Sequence, residues 1–157
     1  MQSPEYRVTR SATIQAPANV VFEQINDFHK WAAWSPWGKL DPAMKVTYTG
    51  PDAGMGAVYY WVGNKDVGEG RMTILESRPA ELVRIKLEFI QPFASAADTE
   101  FTVKPDGSGV TVTWLMSGEN GFVSKAAGLV QSMDKMIGPD FEKGLAQLKT
   151  VAESAAR

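Results

Sequence analysis

The chain has no cysteine. That removes disulfide bridges, thiolate nucleophiles and cysteine metal sites together. Histidine is nearly absent too, with His29 alone. A lone histidine without cysteine ligands does not assemble a zinc site, so neither metal nor cofactor is expected. Long apolar runs are missing, and no stretch reaches the roughly 20 residues that span a bilayer. The start Met1-Gln2-Ser3-Pro4-Glu5-Tyr6-Arg7 lacks the apolar segment of a signal peptide. The expectation is a soluble, cytoplasmic chain, with membrane contact only if an upstream anchor has been removed. Charge of one sign is lacking as well. Sixteen Lys and Arg face eighteen Asp and Glu, a net charge of -2. Without a basic stripe, nucleic acid is a poor partner. Gly54-Met55-Gly56 lacks the third glycine and the following helix of a dinucleotide fingerprint.

Aromatic residues are present and clustered. Asp27-Phe28-His29-Lys30-Trp31-Ala32-Ala33-Trp34-Ser35-Pro36-Trp37 holds three of the five tryptophans within seven positions. Tryptophan in such density closes a core, lines a pocket or forms an interface. Upstream, Tyr6, Val8, Ala12 and Ile14 share one parity and predict a half-buried strand. Ala16-Pro17 opens a helix with proline at its first position, and Val21, Phe22, Ile25 and Phe28 give it one apolar face.

From Met44 to Gly118 the pattern has period two, cut by turn residues at Gly50–Gly54, Asn64–Asp66, Arg78–Glu81 and Asp106–Gly109. It predicts six further strands in an antiparallel meander with one apolar and one wet face. Such a face needs a cover. Phe122, Ala126, Leu129, Met133, Met136, Ile137, Phe141, Leu145, Leu148 and Ala152 step at helical spacing and supply one. Gly138-Pro139 is expected to interrupt and kink that helix, moving it off the sheet. No linker or repeat divides residues 1–157, which read as one domain.

In order and spacing these segments resemble the START-like (SRPBCC) superfamily, and within it the bacterial polyketide cyclase/dehydrase and lipid-transport-like group. The resemblance rests on Ala16-Pro17, Val21-Phe22, Asp27, Trp31, Trp34-Ser35-Pro36-Trp37, Gly68-Glu69-Gly70, Gly118-Glu119-Asn120 and Phe141-Glu142-Lys143-Gly144-Leu145. It spans about residues 6–153. It implies an α+β helix-grip (START/Bet v 1-like) fold, in which a curved antiparallel sheet of about seven strands wraps a long, kinked C-terminal helix. It also implies an internal cavity for a hydrophobic small molecule or lipid, and in some relatives cyclase or dehydrase chemistry.

The candidate ligand-binding residues are Trp31, Trp34, Trp37, Tyr59, Trp61, Phe89, Trp114, Met116, Met133, Met136 and Arg10. The aromatics and methionines suit an adaptable apolar wall, or else simply fill the core. Arg10 shares the inward parity of Val8 and Ala12, and an inward guanidinium needs a partner or a ligand anion unless it reaches water at an edge. Gly68 and Gly70 share the inward parity of Met72 and leave either room for a ligand or a bend. Glu69 and Arg71 fall on the wet face as a solvated pair. Ser35 has no nucleophile-elbow context and reads as a turn residue. No catalytic residue is assigned. An enzymatic reading would need an acid or base from Tyr59, Arg10 or Asp134, whereas an interaction module would show its tryptophans as a flat exposed patch. Ligand identity and oligomeric state stay open.

Overall fold

A computed structural model describes residues 5–35, 43–64, 68–91, 95–119 and 129–156. The period-two segments form one seven-stranded antiparallel sheet. In chain order the strands are β1 (Glu5–Ile14), β2 (Lys45–Thr49), β3 (Val58–Val62), β4 (Glu69–Arg78), β5 (Leu82–Gln91), β6 (Ser95–Asp106) and β7 (Gly109–Glu119). Their order across the sheet is β1-β7-β6-β5-β4-β3-β2. Six strands follow as a meander, and the first strand closes on the last, with Glu5 opposite Glu119 and Ile14 opposite Val110.

The helices sit where the apolar spacing placed them. Helix α1 spans Ala18–Asn26 and buries Val21, Phe22 and Ile25. Pro17, expected as the first helical residue, is instead its N-cap in extended conformation, and the helix begins one position later. Its carbonyl accepts from the amides of Val20 and Val21. A 3-10 helix, Phe28–Ala33, follows. Helix α2 spans Leu129–Ala155 with Pro139 inside it. The expected interruption at Gly138-Pro139 therefore does not break the helix, and Phe122 and Ala126 lie outside the described residues. Proline removes one amide, and the neighbouring turns carry the helix across.

Parity holds along the sheet. Val83 and Ile85 on β5, Phe101 and Val103 on β6, and Val112 and Trp114 on β7 are all buried. Two register shifts bend β4, one between Glu69 and Gly70 and one between Ile74 and Glu76. Leu75 lies at the second, on the outer face by alternation from buried Ile74 and 37% exposed despite its apolar side chain. Between β3 and β4 the Gly63 amide donates to the Gly68 carbonyl at 2.9 Å. Of the expected Asn64-Lys65-Asp66 turn, residues 65 and 66 lie outside the described residues.

Candidate ligand-binding face

The inner face of the sheet divides into two halves. Over β1, β7 and β6 it is solid. Trp114 lies flat on Phe141 of α2, with ring centroids 4.0 Å apart and planes 6° apart. Phe101 stacks on the same indole at 4.7 Å. Leu145, Leu148 and Ala152 complete the cover from α2 with at most 2% exposure.

The tryptophan cluster belongs to this packed half. Trp34 and Trp31 are 0% and 3% exposed, and their rings meet at 4.6 Å. Both indoles turn back on α1. Trp31 Nε1 donates to the Ile25 carbonyl at 2.8 Å, and Trp34 Nε1 donates to the Gln24 carbonyl at 3.0 Å. A helix ends with carbonyls that lack intrahelical partners, and here two indole N–H groups satisfy two of them. Asp27 starts the 3-10 helix by accepting from the His29 amide at 2.9 Å. The Ser35 amide closes it by donating to the Trp31 carbonyl at 2.7 Å, the turn role read for Ser35. Trp31, Trp34, Trp114 and Met116, at most 4% exposed, thus form core. Trp37 lies outside the described residues, as do the side chains of Met133 and Met136.

Arg10 does point inward, and it is engaged. It sits opposite Trp114 in the β1–β7 register, and its Nε donates to Glu142 Oε2 at 2.8 Å. Its Nη1 donates to the Thr9 carbonyl. Its guanidinium lies against α2 at Gly138, where a β-carbon would fall 2.1 Å from Nη2. The glycine before Pro139 thus admits the arginine to the helix backbone. Sequence reasoning gave Arg10 no partner, because Glu142 lies 132 positions away on another element.

Over β2 to β5 the inner face is buried at Trp61, Ile74, Val83 and Ile85 but only partly covered elsewhere. Tyr59, Met72, Leu87 and Phe89 are half-buried, and Tyr48 at its rim is 39% exposed. Trp61 lies edge-on to Phe89 at 6.1 Å. The space left by Gly70 is already filled, since a β-carbon there would fall 2.3 Å from the Trp61 ring. That glycine is a seat for the indole, set at a strand bend. Tyr59 is ringed by Phe28 at 5.8 Å, Tyr48 at 5.7 Å and Trp61 at 6.1 Å. Burial, with the neighbouring Tyr48 second, pushes its phenol up to about 12. At the rim, His29 stacks on Tyr48 at 4.0 Å, and its Nδ1 lies 2.8 Å from Asp27 Oδ1.

The outer face of the same strands carries an open groove of about 670 Å³, bounded by Thr47, Val58, Tyr60, Arg71, Thr73 and Lys86 among others. Its charges are internally matched: Arg71 pairs with Glu88 at 3.2 Å, and Tyr60 donates to Glu69. This wet, broad surface lies on the side opposite the aromatic wall. Glu69 and Arg71 face solvent as read from parity, but their partners are Tyr60 and Glu88 on the neighbouring strands. Among the described residues no group of three His, Cys, Asp or Glu side chains is placed to hold a metal. No helix among them is long and apolar enough to cross a membrane.

The family profile described as polyketide cyclase / dehydrase and lipid transport matches residues 5–153. No curated protein matches the sequence. Among solved structures, the chain is similar to a Chromobacterium violaceum protein at 17% identity and a TM-score of 0.66, covering 94% of this chain and 98% of that one. It is also similar to the di-domain ARO/CYC StfQ from the steffimycin biosynthetic pathway, at 8% identity and a TM-score of 0.70, over 97% of this chain and 52% of that one. A third likeness is to the Aha1 dimer from Colwellia psychrerythraea, at 11% identity and a TM-score of 0.65, over 94% and 96% of the two chains. At these identities the likeness is one of fold.

Proposed function

The chain belongs to the polyketide cyclase/dehydrase and lipid-transport family, and from that membership we propose that it binds a hydrophobic small molecule or lipid on the concave face of β2 to β5. The observation that carries this reading is the contrast between the two halves of one apolar face. One half is sealed by α2 and the tryptophans. The other presents Tyr59, Met72, Leu87 and Phe89 half-buried. Apolar side chains left partly in water represent unused burial, worth about 25 cal/mol per Å² to a ligand that covers them. Concave walls of this composition, with few polar groups, suit small-molecule recognition. The family's ligand-binding fold agrees with this placement, and the single chain is the unit proposed to bind.

Support for a catalytic reading is thinner. Of its candidate acid–base groups, Arg10 is engaged with Glu142 and lies five strands from Tyr59 in the sheet order. The side chain of Asp134 lies outside the described residues. Binding without turnover therefore fits the described groups better.

Native mass spectrometry of gently purified protein, before and after organic extraction, tests the binding reading. The expected result is an extractable adduct of a few hundred daltons, together with a rise in Tm when a matching lipid or aromatic compound is added back. No adduct, combined with no shift across a panel of lipids and aromatic compounds, would overturn it. The exposed aromatics would then be better read as a protein-interaction surface.

A further inference from the structure

On the half-buried wall, Tyr59 differs from its neighbours by one hydroxyl group. Its ring is packed among Phe28, Tyr48 and Trp61, so the phenol sits deeper than the exposed Tyr48 at the rim. No side chain among the described residues hydrogen-bonds its oxygen. With no side-chain partner among the described residues, this hydroxyl is left to bond water or a ligand that covers the wall. Phenylalanine would pack against the same three rings but offer no donor to whatever lies on the face. The hydroxyl is therefore a feature to be explained by what it faces.

Resting on the concave-face reading above, we propose that Tyr59 is the polar anchor of this face and donates a hydrogen bond to a neutral carbonyl oxygen on an otherwise apolar ligand. Two observations set the ligand's chemistry. First, the phenol is held protonated by burial, so it offers a donor throughout the neutral range. Second, the rim beside it carries the Asp27 carboxylate, which adds to burial in raising the neighbouring Tyr48. A ligand carboxylate would be repelled there. His29 is paired to that carboxylate at 2.8 Å rather than free to meet a ligand anion. Arg10, the cation on the inner row, is committed to Glu142 at the sealed end. The chemistry that fits is a ketone, ester or amide carbonyl attached to a planar or aliphatic body that lies along Trp61, Leu87 and Phe89.

The test uses three probes of one shape: 2-ethylnaphthalene, 2-acetylnaphthalene and 2-naphthoate. Their dissociation constants are measured by tryptophan fluorescence on the wild-type chain and on Tyr59→Phe. The quantity read is the ratio of the ethyl and acetyl constants within each protein, which cancels the difference in their water solubility. The ratio should shift about fivefold in favour of the ketone in the wild type relative to Tyr59→Phe, the size of one net hydrogen bond. Affinity for 2-ethylnaphthalene should stay unchanged in the variant, and so should its Tm at neutral pH. The naphthoate should bind more weakly than the ketone in the wild type. If both neutral probes bind and the ratio is the same in the two proteins, Tyr59 is no anchor, and the concave-face reading survives alone. Tighter binding of the naphthoate would overturn the neutral-carbonyl assignment. If none of the probes binds, the concave-face reading fails and takes this inference with it.

Discussion

Ala80 is the one non-glycine among the described residues with a left-handed backbone, at φ 62°. It sits in the turn between β4 and β5, where the Glu81 amide donates to the Arg78 carbonyl at 3.0 Å. A β-carbon in that conformation costs about 1–2 kcal/mol, whereas glycine adopts it without strain. Ala80→Gly is therefore expected to stabilise the chain by about 1 kcal/mol and raise Tm by roughly 2–4 °C, after the entropy of the freer unfolded chain is counted. A scanning calorimetry run on the two proteins checks this, and a lowered Tm would contradict it. The turn itself was legible from Arg78-Pro79-Ala80-Glu81, but the strain was not, because nothing in an alanine announces a positive φ. The tryptophans show the same limit. Their need for burial was plain from residue type, but whether they faced a ligand or each other depended on two backbone carbonyls of α1 that sequence does not reveal.

At the scale of elements, strand parity and helix spacing were legible because each records which side of an element faces the core. The seven strands and the two main helices follow from it. The contact between β1 and α2 was not legible, because it joins residues far apart in the chain. Arg10, Gly138 and Glu142 act there as a unit, and a double-mutant cycle exposes it. In an unconstrained helix interior, Gly→Ala gains about 1 kcal/mol. With Arg10 present, the new methyl must displace the guanidinium from Glu142, losing a part-exposed ion pair of up to about 1 kcal/mol. Gly138→Ala is thus expected to be near neutral in the wild type but stabilising by about 1 kcal/mol in the Arg10→Ala background. Urea unfolding of the four proteins measures the difference, and equal effects in both backgrounds would show that the close packing has no energetic weight.

For the whole molecule, Tyr59 links stability to alkaline pH. Its folded-state pKa of about 12 lies above the ordinary value of 10.0. Folding therefore favours the neutral phenol, and the unfolded chain loses its proton first as pH rises. The associated stability is complete below about pH 10 and is lost as pH climbs toward 12. Denaturation midpoints between pH 9 and 12 should fall more steeply in the wild type than in Tyr59→Phe; parallel curves would contradict the assignment. The division of the inner face, one half filled and one half accessible, was not legible in the sequence, since identical parity writes both halves. The pairing of β1 with β7 has a further consequence for biosynthesis. The first strand leaves the ribosome more than a hundred residues before the strand it must join. At roughly 5–20 residues per second, Val8 and Ile14 wait on the order of 5–20 s with neither partner strand nor covering helix. During that interval the nascent chain is an apolar ribbon with an open edge, a natural client for whatever shelters unfinished proteins. Premature termination anywhere before β7 would leave β1 permanently unpaired, so a truncated product is expected to aggregate or be degraded.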